Sequence, residues 1–132
     1  MPFMKATRKA LAICDTEFEN EHHKNNRENA FRHALWNYSI CESCFKKEAD
    51  IEKVINFSEE ITYLHEIMAP NPLLEKEMDL HNNYIGRKVF RENSHISVNS
   101  ISIFKKMMEE AKPVKNASEI KIAKNHLVYI EE

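Results

Sequence analysis

Histidine, carboxylate and carboxamide side chains recur at helical spacing in three stretches of this 132-residue sequence. In Asn29-Ala30-Phe31-Arg32-His33-Ala34-Leu35-Trp36-Asn37, residues His33, Trp36 and Asn37 stand at i, i+3 and i+4 and share one face of a helix. Phe31, Leu35 and Tyr38 form the adjacent apolar stripe, which brings the His33 face to the edge of a core. An imidazole placed there needs a partner. It is either a structural histidine bonded to Asn37 or a backbone carbonyl, or a base or metal ligand.

The second stretch is His65-Glu66. His65 continues an apolar stripe of Ile51, Val54, Ile55, Ser58, Ile61, Leu64 and Met68, with Glu66 beside it. Near a desolvated contact, the charged form of a carboxyl is disfavoured unless a cation, a metal or a histidine compensates. That pairing suits acid–base work or metal ligation; the plainer alternative is a surface Glu66 beside a core His65. In the third stretch Asp79, Asn82, Asn83 and Gly86 fall at i, i+3, i+4 and i+7. Asparagine and glycine are poor helix formers, so their concentration there implies a compensating role, or else a kink at residues 79–83.

Three stretches on successive helices can converge on one site, as they do in helix bundles. The expected catalytic group is His33, His65, Glu66 and Asp79, with Arg32, Trp36, Asn37, Asn82 and Asn83 positioning substrate. Trp36 would form an apolar wall of the shared pocket, and Gly86 would permit close approach. If a divalent metal is the cofactor, His33, His65 and Asp79 are its expected ligands, and it would activate water for attack on a phosphoester. Without metal, Glu66 or His33 would serve as general acid or base, and the paired acids would also fit glycan hydrolysis.

The elements that must hold these residues are helices. Gly86 is the sole glycine and the prolines are Pro2, Pro70, Pro72 and Pro113, too few turn formers for a sheet-rich fold. The pattern predicts an all-α, compact bundle of about five helices in a single domain over 1–132. They are expected near residues 3–18, 27–47, 51–69 behind an Asp50 cap, 73–91, and 98–111 before Pro113. Leu127-Val128-Tyr129-Ile130 is rich in β-formers and reads as a short strand or extended cover. His22-His23 fall in a polar loop and read as solvated, and His95 and His126 carry no spacing signal.

Composition narrows the classes further. Charged residues make up 30% and apolar residues 42%, ordinary values that argue against disorder. A net charge of −2, with lysines and arginines scattered, gives no global footprint for nucleic acid. No signal-peptide pattern of the general secretory type and no membrane-spanning apolar run occurs, so a soluble chain made in the cytoplasm is expected, with any export needing a specialised route. Cys14, Cys41 and Cys44 make no closed disulfide framework; the Cys41–Cys44 pair reads as mid-helix thiols, with a Cys14 bridge to one of them as the alternative.

The segments Asn29 to Asn37, His65-Glu66, and Met78-Asp79-Leu80-His81-Asn82-Asn83-Tyr84-Ile85-Gly86-Arg87 resemble C-terminal domains of bacterial polymorphic-toxin proteins with wall-associated or YD-repeat upstream regions. The resemblance covers about residues 27–91 and implies an antibacterial or host-directed effector, delivered by secretion machinery and neutralised by a cognate immunity protein. A weaker similarity is to HD-type metal phosphohydrolases, with His33, His65 and Asp79 in order but Glu66 in place of the paired aspartate. The favoured reading is a small hydrolase acting as a toxin. Its alternatives are an envelope-directed glycan or lipid hydrolase, and a non-enzymatic interaction module, such as an immunity or adaptor protein, whose polar stripes specify packing.

Overall fold

The computed structural model describes residues 2–18 and 26–131. His22 and His23 lie outside the described residues. In chain order the elements are α1 (Pro2–Phe18), α2 (Arg27–Phe45), α3 (Ile51–Met68), α4 (Leu73–Asn93), α5 (Ser100–Glu109), β1 (Lys112–Val114), α6 (Ala117–Ala123) and β2 (Val128–Ile130). The fold is a compact, mostly α-helical bundle, as the scarcity of turn residues requires.

Local signals set the helix ends. The Asn26 side chain accepts from the Asn29 amide to start α2, and Asp50 accepts from Glu52 and Lys53 to start α3. Asn99 and Asn116 cap α5 and α6 in the same way. Pro70 and Pro72 separate α3 from α4 because neither can donate a helical hydrogen bond.

Helix α2 is the central element and packs against α1, α3, α4 and α5. Its Phe31, Ala34, Leu35, Ile40 and Cys41 are almost wholly buried. Gly86 of α4 lies against the Ala34 backbone, where a Cβ would collide with the Ala34 carbonyl oxygen. The missing side chain thus serves helix–helix contact between α2 and α4.

One expectation changes here, and a second is borne out and extended. The inward row of α3 is Val54, Ser58, Thr62 and Glu66, with Ile55 beside it, whereas Leu64, His65 and Met68 are exposed. The apolar stripe lost to this row because α2 and α4 present polar partners to it: the hydroxyls of Ser58 and Thr62 lie 3.2 Å from Asn37 Oδ1. Second, the C-terminal extended segment is not alone. It is β2, paired in parallel with β1 in the register Lys112↔Val128, Pro113↔Tyr129 and Val114↔Ile130, with the unforeseen helix α6 as the connection. The cysteines are free thiols, Cys14 and Cys41 buried and Cys44 half-buried. Burial pushes the Cys41 thiol up to about 12, which keeps it protonated and inert.

Candidate metal centre

Three helices deliver the site. His33 comes from the second turn of α2, Glu66 from the last turn of α3, and Asp79 and Asn83 from successive turns of α4. His33, Glu66 and Asp79 are only 3%, 1% and 5% exposed. One imidazole nitrogen and one oxygen from each carboxyl lie within 4.8 Å of one another. Metal–ligand bonds of about 2.0–2.2 Å place ligand atoms roughly 3–4.4 Å apart, so small inward shifts complete the fit.

The hydrogen bonds fix the form of His33. Arg32 Nη2 lies 3.1 Å from His33 Nε2, and a guanidinium has only donors, so Nε2 accepts. The ring proton is therefore on Nδ1, which donates to Asn83 Oδ1 at 3.0 Å. Burial is the main reason that the His33 pKa falls to about 3, followed by the Arg32 charge; the Asn83 bond opposes the shift. His33 is neutral, and Nε2, whose lone pair accepts from Arg32, lies 3.3 Å from Asp79 Oδ1.

The carboxyls behave oppositely to ordinary acids. Desolvation, then the Glu66 charge and hydrogen bond, push Asp79 up to about 8. Desolvation also raises Glu66, against the lowering influence of His65, Asp79, Asn83 and Arg32. Their carboxyl oxygens lie within 4.8 Å of each other, so the protonation of one influences that of the other. Glu66 Oε1 and Asn83 Nδ2 remain buried with no aligned hydrogen-bond partner. An orphaned acceptor beside a second carboxyl and a neutral imidazole is a donor set suited to a divalent cation.

Through His33 the centre adjoins a pocket of about 140 Å³ lined by Thr7, Leu11, Arg32, His33, Trp36 and His65. Trp36 Nε1 donates to Thr7 Oγ1 at 2.7 Å, which orients the indole, and the His65 ring meets it edge-on at 5.2 Å.

The residues expected to form a site divide into two sets. His33, Glu66, Asp79, Asn83 and Arg32 come together, with Trp36 and His65 at the pocket. His65 lies outside the group of possible metal ligands; adjacent helical residues point about 100° apart, and the inward position went to Glu66. Asn37 faces away from the pocket, with Nδ2 donating to the His33 carbonyl and Oδ1 accepting from Arg87 at 2.8 Å. Asn82 clamps β2 by donating to the Val128 carbonyl and accepting from the Val128 amide, both at 2.9 Å. Neither is placed to hold substrate. Asn29 belongs to the centre although sequence reasoning gave it no role: its Nδ2 donates to Asp79 Oδ1 at 3.4 Å and its Oδ1 receives Arg32. Its spacing, one turn before His33, carried that signal.

No curated protein and no solved structure matches the chain. A family model does match residues 1–112, a span that holds α1 to α5 and every residue of the centre. By that match the chain belongs to the family described as a domain of unknown function, DUF6973.

Proposed function

We propose that this chain is a small metal-assisted hydrolase of phosphoesters, with His33, Glu66 and Asp79 as its metal ligands. The observation that carries the reading is the convergence of these three buried groups, one imidazole and two carboxyls, within 4.8 Å of one another beside an open pocket. A divalent cation there would offset the buried carboxylate charge and lower the proton affinity of water. With such a cation held by His33, Glu66 and Asp79, a water would attack phosphorus, its proton passing to the carboxyl pair as the bond from phosphorus to the ester oxygen breaks. His65, at the rim, supplies the proton that the departing alcohol needs.

Two measurements test this. The protein loaded with zinc, manganese or magnesium should retain about one equivalent after desalting and hydrolyse bis(p-nitrophenyl) phosphate. His33→Ala and Asp79→Ala should lose both metal and turnover. Full turnover in excess chelator would refute the metal-assisted form.

The wider reading, a bacterial effector with a cognate immunity protein and a secretion system, is supported by the resemblance of the three segments. Expression in bacteria with and without a periplasmic signal tests it by growth. Arrest only after export would redirect the substrate to envelope glycans or lipids.

A second reading, an interaction module with a structural polar core, is favoured by one observation. Asn37 and Arg87, with Ser58 and Thr62, form a buried network in which the guanidinium is held by Asn37 Oδ1 and Thr62 Oγ1. Unfolding of Asp79→Asn and Glu66→Gln, with no toxicity in any compartment, would favour it.

A further inference from the structure

We infer that the pocket beside the centre selects a phosphoester whose organic group is compact, apolar and flat, with Arg32 holding the phosphoryl oxygens and Trp36 and Leu11 holding the organic group. This deepens, and rests on, the reading of His33, Glu66 and Asp79 as a hydrolytic centre. Four features support it.

First, His33 belongs both to the pocket lining and to the buried cluster, so a ligand filling the pocket meets one of the three clustered groups. Second, Arg32 is the only basic side chain apart from histidine among the described residues of the pocket lining. Its Nε and Nη2 are spent on Asn29 Oδ1, at 3.2 and 2.8 Å, and Nη2 also reaches His33 Nε2. Nη1 makes no hydrogen bond among the described residues, and Arg32 is half-buried, so one edge of the guanidinium remains for an anion. A metal and Arg32 also cannot share the Nε2 lone pair. A cation held at Nε2 would therefore free the Nη2 hydrogen that now points at His33, while Nη2 keeps its bond to Asn29.

Third, among the described residues the rest of the wall, apart from His65, offers few hydrogen-bonding groups. Leu11 and Trp36 dominate it, and the Thr7 hydroxyl is already taken by the indole Nε1–H. A sugar would lose hydrogen bonds to water there without replacement, whereas an apolar ring would lose none. Fourth, about 140 Å³ matches a single ring with its phosphoryl group.

Trp36 is the sole tryptophan, so its emission reports occupancy of this pocket without any turnover. The probes are phenylphosphonate and methylphosphonate, neither of which can be hydrolysed at an ester bond. Phenylphosphonate should change Trp36 emission saturably and bind at least tenfold more tightly than methylphosphonate, an advantage of about the size expected for burying one ring. Arg32→Gln should weaken both by about tenfold or more, and Leu11→Asp should erase the preference for the phenyl group; far-UV circular dichroism checks that both variants fold. If Arg32→Gln does not fold, the Leu11→Asp result decides. Equal affinity for the two phosphonates, or no Trp36 response, overturns the assignment. Saturable, Arg32-dependent binding with no hydrolysis of phenyl phosphate under any divalent metal keeps the pocket and removes the hydrolase. Conversely, hydrolysis of glycerol phosphate as fast as phenyl phosphate, with Trp36 silent, keeps the centre and overturns the pocket.

Discussion

Burial sets the charge of the three clustered side chains before any ligand arrives, and it does so in opposite directions. His33, held down to about 3, excludes a proton that the unfolded chain would take below 6.5; it therefore costs stability as pH falls through that range. Asp79, held up to about 8 beside Glu66, keeps a proton that the unfolded chain releases near 3.8, so it costs stability as pH rises from there to about 8. Between the two unfolded values the effects oppose each other, and above 6.5 only the carboxyl pair remains. In chelator, urea unfolding should show stability falling by about 1–2 kcal/mol from pH 6.5 to 8, and Asp79→Asn should flatten that slope. A wild-type profile that is flat or rising over this window would count against the coupled carboxyl pair. Spacing alone made His33, Asp79 and Asn83 legible as a polar face. It could not separate His65 from Glu66, because both neighbours fitted a plausible stripe and the deciding partners, Asn37 and the α4 carboxyl, lie on other helices.

At the scale of the elements, the centre is as good as the fit between α2 and α4. Gly86→Ala should gain about 1 kcal/mol of helix propensity and lose more to the Ala34 carbonyl, because backbone on both sides must separate. We expect a net loss above about 2 kcal/mol in denaturant titration, with metal affinity falling as His33 and Asp79 part. A neutral or stabilised variant would show that the helices can slide apart freely. Asn82→Ala makes a useful contrast. It strands the Val128 amide and carbonyl at a cost of about 2–3 kcal/mol but leaves metal affinity intact, since Asn82 faces β2 and not the centre. Isothermal titration beside the unfolding curve separates the two residues. The long helices were legible because caps and prolines mark their ends. Helix α6, with seven residues, and β1, built around a proline, were not, because their stability comes from docking and not from local pattern.

For the whole molecule, among the described residues no helix is long and apolar enough to cross a membrane. A metal that binds only the folded chain must raise its stability by mass action, by about 2.7 kcal/mol when free metal is 100 times Kd. The thermal midpoint should then climb by several degrees with zinc or manganese, and not at all in His33→Ala; an equal rise in that variant would place the metal elsewhere. Composition gave the fold class but not the order of assembly, and there the Asn82 amide has a consequence in time. Its bonds to Val128 join positions 46 residues apart, so the entropy of closing that loop must be met before either bond contributes. Because β1, α6 and β2 are too short to be stable alone, we expect this tail to dock onto α4 after the transition state. Asn82→Ala should steepen the loss of native protein, raising the unfolding rate while leaving the folding rate where it was, so that only the unfolding limb of the chevron moves.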